Sequence, residues 1–254
     1  MTQATAPDFR LDGQRALVTG ASSGIGRAIA EAYAAAGAAV TLCARSADAI
    51  KAMADTLAAR ELKADTLACD VTDTDAFATE IAQRPAYDIL VNNAGTNRPK
   101  PLLDITPEDY DAVMNVNMRA VYFVTQAITR QMIAEKRSGS IINMSSQMGH
   151  VGGANRTLYC ASKWALEGFT KALAVELGPH GIRVNTICPT FIETPMTKPF
   201  FEDEGFRKSV LSKIKLGRLG QVEDITGAAI FLASSASSLM TGSSLMLDGG
   251  WTAE

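Results

Sequence analysis

Short apolar runs alternate along the chain with longer stretches whose apolar positions return at helical spacing. The short runs are Arg15–Thr19, Ala39–Ala44, Ala64–Cys69, Asp88–Asn92, Ser140–Met144, Ile182–Ile187 and Ser244–Leu247. Between them, helical patterns cover 24–36, 47–60, 73–83, 107–135, 157–177 and 222–233. The boundaries carry ordinary punctuation. Gly37 closes the first helix, Thr106 and Pro107 open the long fourth one, and Gly178-Pro179 ends the helix over 157–177.

Strand–helix alternation of this period predicts right-handed βαβ units and a parallel sheet covered on both faces. The strand runs are nearly all apolar, as a doubly covered sheet requires. The expected fold is α/β: one Rossmann-type doubly wound domain over 1–254, with seven parallel strands and helices on both faces. No repeat, low-complexity segment or linker divides it. The longest break in regularity is 190–219, which carries Pro195 and Pro199. It follows the sixth strand, where an open α/β sheet places its ligand crevice, so it is expected to act as a substrate lid.

Composition narrows the setting. The 254 residues carry a net charge of −3, which argues against nucleic acid as the main partner. The basic run Lys208–Arg218 is diluted by apolar residues and reads as a solvated helix face. Four scattered cysteines without a C-x-x-C pair, Cys43 and Cys69 among them as expected buried thiols, point to a reducing compartment. His150 and His180 have no metal-ligand spacing around them, so no metal site is expected. Met1–Gln14 lacks the apolar core of a signal peptide, and no apolar stretch is long enough to span a bilayer. A cytoplasmic protein without a membrane partner is the expectation.

The first strand runs into Gly20-Ala21-Ser22-Ser23-Gly24-Ile25-Gly26, which opens the first helix. Glycines permit a tight turn and close backbone approach, and a helix N-terminus attracts phosphate. This strand–turn–helix context predicts a pyrophosphate site. The second strand ends at Ala44-Arg45, without the acid that would hold the ribose 2′-hydroxyl of NAD. Arg45 can grip a 2′-phosphate, so NADP is favoured and NAD is the alternative.

Tyr159 and Lys163 stand four residues apart in one helical pattern, on one face. A free phenol is a poor proton donor at neutral pH, and a neighbouring ammonium is expected to pull its pKa toward a working value. That is what an alcohol–carbonyl interconversion needs.

With these pieces in order, the chain resembles the short-chain dehydrogenase/reductase family along essentially its whole length. The matching segments are Thr19–Gly26, Cys69-Asp70-Val71, Asn92-Asn93-Ala94-Gly95, Asn117 in Asn115–Met118, Ser146 in Ile142–Ser146, and Tyr159-x-x-x-Lys163. The flavour is that of sugar or polyol dehydrogenases and 3-oxoacyl-carrier-protein reductases. The resemblance implies Tyr159 as general acid/base and Lys163 as its partner on the nicotinamide ribose. It implies Ser146, rather than Ser145, as the hydrogen-bond donor to the substrate oxygen, and Asn117 as holder of a relay water. Asp70 and Val71 would contact adenine, Asn93, Ala94 and Gly95 would line the coenzyme cleft, and Pro189, Ile192 and Thr194 would flank the nicotinamide. A homotetramer is also implied, with contacts through 107–135, 157–177 and the last strand. The family usually has Pro-Gly after the sixth strand, where this chain has Pro189-Thr190.

Candidate substrate contacts are Gln147, His150, Asn155, Phe191 and Met196, with Val151 and Ile192 nearby. Phe200, Phe201 and Phe206 lie in the expected lid, facing substrate or packing it down. A small keto or hydroxy compound is expected: a sugar, polyol, xenobiotic ketone or 3-oxoacyl thioester. The alternative is a non-catalytic dinucleotide-binding sensor or scaffold, which would have no need of a tuned phenol.

Overall fold

The computed structural model describes residues 6–253. The first five residues of the Met1–Gln14 stretch, expected to carry no signal peptide, and Glu254 lie outside the described residues. Seven strands form one parallel sheet: β1 (Arg15–Thr19), β2 (Ala39–Ala44), β3 (Ala64–Ala68), β4 (Ile89–Asn92), β5 (Gly139–Met144), β6 (Ile182–Pro189) and β7 (Ser244–Leu247). Their order is β3-β2-β1-β4-β5-β6-β7, so the winding reverses between β1 and β4. In such sheets the crevice beyond the carboxyl ends at that reversal is the ligand site.

Alternation along each strand fills two cores. Ala16 and Val18 of β1 join Ile89 and Val91 on one face, while Leu17 and Leu90 point to the other. The first face is covered by α1 (Gly24–Ala35) and α8 (Glu223–Ala233), tied together where the Tyr33 hydroxyl donates to the Ala229 carbonyl at 2.9 Å. The second is covered by α3 (Thr74–Ala82), α5 (Val121–Ala134) and α6 (Thr157–Leu177), through Phe77, Ile128 and Leu177. The helix α2 (Ala47–Ala58) closes the β2–β3 crossover.

Four expectations change. The strand β3 is not a doubly buried run: Asp65 is exposed and Thr66 half-buried, because β3 is an edge strand with one neighbour. Cys69 is partly exposed rather than buried, lying just past that edge. The long helix over 107–135 is three pieces: α4 (Pro107–Met114), a π-helical stretch over Asn115–Ala120, and α5. The interruption centres on Asn117, whose side chain bonds outside the helix. π-Bulges of this kind are frequent at functional sites. Finally, the segment 190–219 is not irregular throughout. It contains a 3₁₀ turn at Lys198–Glu202 and α7 (Glu204–Lys213), capped where the Asp203 carboxylate accepts from the Phe206 N–H. The α7 helix buries Val210, which with Ile214 and Leu219 makes a small third core. Among the described residues no helix is long and apolar enough to cross a membrane.

Candidate active site

The turn leaving β1 is shaped by what its glycines exclude. Gly20 and Gly24 have φ of 65° and 55°, a region that favours glycine. A Cβ on Gly26 would overlap the Asn93 amide and the Gly20 carbonyl. Asn93 is the strut of this turn: its amide donates to the carbonyls of Thr19 and Gly20 at 3.0 and 3.2 Å. The Thr19 hydroxyl in turn receives the N–H groups of Asn93 and Ala94. Asn93 therefore meets the cleft with its backbone, its amide being turned into the loop. The α1 helix starts at Ser23 with no side-chain cap and no acid in its first turn, which leaves its positive end for an anion.

Around this cradle stand the other expected coenzyme residues. Thr194, across the cleft, would be 3.3 Å from a Cβ on Gly24. Arg45 is exposed at the end of β2, beside Asp70. The Asp70 carboxylate accepts from the backbone and hydroxyl of Thr72, which holds it below the usual carboxylate range. Val71 is buried. The Thr190 hydroxyl, where the family usually has glycine, is buried without a hydrogen-bond partner beyond β6. The Thr190 N–H donates to the Leu247 carbonyl, so the loop is pinned to β7. A glycine cradle, an uncapped helix start and an orphaned hydroxyl at the rim fit a bound dinucleotide.

The proton-handling residues converge from β5 and α6. The buried Lys163 ammonium donates to the Met144 carbonyl at 2.8 Å and lies 5.5 Å from the centroid of the Tyr159 ring. Burial lowers its pKa to about 8, against the opposing pull of Cys188 and Glu167. Tyr159 departs from expectation. Burial pushes the phenol up to about 12, more than the Ser146 hydroxyl and Arg156 pull it down. Desolvation outweighs the neighbouring cation Arg156 here, and the Lys163 ammonium is bonded to the Met144 carbonyl. The Ser146 hydroxyl donates to Gln147 Oε1 at 2.7 Å and accepts the Met148 N–H. Ser145 lies under Gly149 instead, where a Cβ on that glycine would be 3.0 Å from its Oγ. Asn117 clamps the loop after β4 onto α6. Its amide donates to the Thr96 carbonyl and to Ser162 Oγ, and its Oδ1 accepts the Thr96 N–H. Both amide hydrogens are thus committed to protein partners.

The expected substrate residues separate into two groups. Gln147 is buried against Ser146, Asn155 is exposed with a φ of 57°, and Met196 is exposed on the lid. Phe191 packs inward instead. Its ring meets Phe201, Phe206 and Trp251 at centroid distances of 5.8, 5.6 and 5.9 Å. Phe200 reaches Phe206 at 6.4 Å, and Ile192 is buried in the main core. Most of the lid rings therefore hold the lid together.

A cluster invisible to sequence spacing lies behind Lys163. His150 Nε2 and Cys188 Sγ are 3.4 Å apart, and each approaches Glu167 Oε1, at 3.5 and 3.3 Å. The second Glu167 oxygen accepts from the hydroxyls of Thr186 and Ser244. The three side chains are of metal-ligating types. However, burial and Glu167 push the Cys188 thiol up to about 12, so it is a donor to the carboxylate rather than a thiolate. The cluster reads as a hydrogen-bonded knot joining α6 to β6 and β7.

Residues 20–252 match the family model described as enoyl-(acyl-carrier-protein) reductase. The chain is 42% identical over 246 residues to L-xylulose reductase from Bos taurus, covering 97% of this chain and 99% of that protein. It is 41% identical over 251 residues to gluconate 5-dehydrogenase from Gluconobacter oxydans, covering 97% and 98%. It superimposes with a TM-score of 0.93 on the crystal structure of a putative 2-deoxy-D-gluconate 3-dehydrogenase from Agrobacterium tumefaciens with bound NADP. That pair is 41% identical and covers 97% and 99% of the two chains.

Proposed function

The chain belongs to the short-chain dehydrogenase/reductase family, and from that premise we propose an NADP(H)-dependent oxidoreductase that interconverts a ketone and a secondary alcohol on a sugar-like small molecule. The observation that carries this reading is the convergence of Ser146, Tyr159 and Lys163 beside the glycine cradle. The named relatives act on sugars and sugar acids, and one of them binds NADP.

Gly20, Ser22, Ser23, Gly24, Ile25 and Gly26 would hold the pyrophosphate, Arg45 the 2′-phosphate, Asp70 and Val71 the adenine. Ala94, Gly95, Pro189, Ile192 and Thr194 would shape the nicotinamide end. The coenzyme, when bound, supplies or accepts the hydride. Ser146 would turn its hydroxyl from Gln147 to the substrate oxygen and stabilise the developing alkoxide. Tyr159 then donates its proton to that oxygen. A phenol held near 12 is fully protonated at neutral pH, so the resting site is set for reduction. In the oxidative direction Tyr159 must lose that proton, and positive charge gathered in the cleft, Lys163 included, lowers the cost. Asn117 acts by tying Thr96 to Ser162, whose hydroxyl donates to the Tyr159 carbonyl.

Assembly follows from a different surface. Tyr110, Tyr122, Phe123 and Trp164 are large, apolar and exposed on α4, α5 and α6, the helices expected to build a homotetramer. Light scattering tests that state.

A coupled NADPH and NADH turnover screen over ketoses, keto-acids and 3-oxoacyl thioesters tests the reaction. Tyr159→Phe should retain NADPH binding by fluorescence and lower kcat by roughly 10²–10⁴-fold. Undiminished turnover in that variant would overturn the mechanism, whereas a wild type that binds NADPH and turns over no ketone would favour the sensor reading.

A further inference from the structure

Arg156 is the N-cap residue immediately before α6, three positions ahead of Tyr159. Its side chain is half-buried, and a Cβ on Gly153 would be 3.4 Å from its Cβ and Cγ, so the stem is packed. The guanidinium makes one hydrogen bond, to the Asn155 carbonyl at 3.2 Å. Among the described residues no carboxylate pairs with it, and the titratable groups that act on it, Cys160 and Tyr159, are both held protonated by burial and so neutral at neutral pH. The loop leaving β4 differs. There Arg98 and Lys100 are both neutralised by Asp109, at 3.0 and 2.5 Å. A desolvated guanidinium without a counter-ion is costly to keep, and its fork geometry matches a carboxylate.

We propose that Arg156 receives the carboxylate of the substrate, and that the substrate class is therefore a keto-acid or hydroxy-acid of sugar type, not a neutral ketose or an acyl thioester. The inference rests on the reading of Tyr159 as the proton donor. Three positions at the start of α6 separate the two residues, about 4.5 Å at the helical rise. The reacting carbon and the carboxylate are accordingly a few bonds apart on one short chain, as in a keto-aldonate. Gln147, bonded to Ser146, is the polar side chain beside the reacting end.

The test uses the full chain with NADPH and a matched pair, 5-ketogluconate and fructose. The wild type should favour the acid in kcat/KM. Arg156→Gln should lower the acid-to-ketose ratio by about 10–100-fold, the size of a charge-assisted contact, and chiefly through KM. Arg156→Lys should recover part of it. A thermal-shift titration gives a second readout: with NADPH present, gluconate should stabilise the wild type and fail to stabilise Arg156→Gln. A wild type that prefers fructose, or an unchanged ratio in Arg156→Gln, overturns the inference and leaves the reductase reading standing. Absence of turnover on every ketone, with NADPH still bound, overturns the reductase reading itself.

Discussion

The two walls of the cleft are built by opposite means. On the coenzyme side, Gly20 to Gly26 is fixed by backbone shape: Asn93 braces it and there is no room for a Cβ at Gly26. On the substrate side, the lid is fixed by side chains. Phe191, Phe201 and Phe206 interlock with Trp251, some fifty residues further along the chain. The first wall recognises a ligand part that is the same in every turnover, and backbone N–H groups suffice for it. The second must fit one substrate and release its product, which suits a small satellite core over a continuous one.

The largest expected effect lies on the rigid wall. Gly26→Ala should abolish measurable NADPH binding and lower stability by about 1–3 kcal/mol, as an overpacked site does. Retention of wild-type affinity, read by fluorescence quenching, would mean that the cradle gives more easily than its contacts imply. Next is Arg45→Asp, which should shift the NADP-to-NAD ratio of kcat/KM by about 10–100-fold toward NAD. A fixed ratio would remove Arg45 as the selector.

Lys163, at the seam of the two walls, gives a pH signature. Its folded pKa of about 8 lies below the 10.5 of the free side chain. Between those values the unfolded chain binds the extra proton, so stability attributable to Lys163 rises with pH. Urea midpoints at pH 8 and 9.5 should show wild type gaining on Lys163→Met by roughly 1.4 kcal/mol per unit. A difference that shrinks with pH would contradict the depressed value. The smallest effect belongs to the soft wall. Trp251→Ala should raise substrate KM several-fold, in line with aromatic pairs worth ~0.5–1.5 kcal/mol, and leave NADPH affinity alone. A matching loss of NADPH affinity would show that the walls are coupled.

The same contrast governs what could be read from the chain. The strand–helix alternation, the cradle and the Tyr159–Lys163 pair are local patterns, and local patterns survive in one dimension. The π-helical stretch was hidden because Asn117 acts on Thr96 and Ser162, partners from other elements. The knot of His150, Glu167 and Cys188 draws one residue each from a loop, a helix and a strand. The phenol of Tyr159 was expected to be lowered because charge is visible in a sequence and desolvation is not. Of the α7 helix only the solvated face over Lys208–Arg218 is legible in the sequence; its start at Glu204 and its packing through Val210 are not, because they depend on contacts with Ile214 and Leu219.

The π-helical stretch also constrains how this chain can vary in length. Each such turn holds one more residue than the α-helical register allows. Removing any single residue from 115–120 would let α4 and α5 fuse into one ordinary helix, and everything upstream would rotate by about 100°. Tyr110 would leave the surface it shares with Tyr122, and Asn117 would lose its hold on Thr96. Deletions that a surface loop would absorb are therefore excluded here, and the residue count between Thr106 and Ser140 behaves as a fixed dimension of the protein.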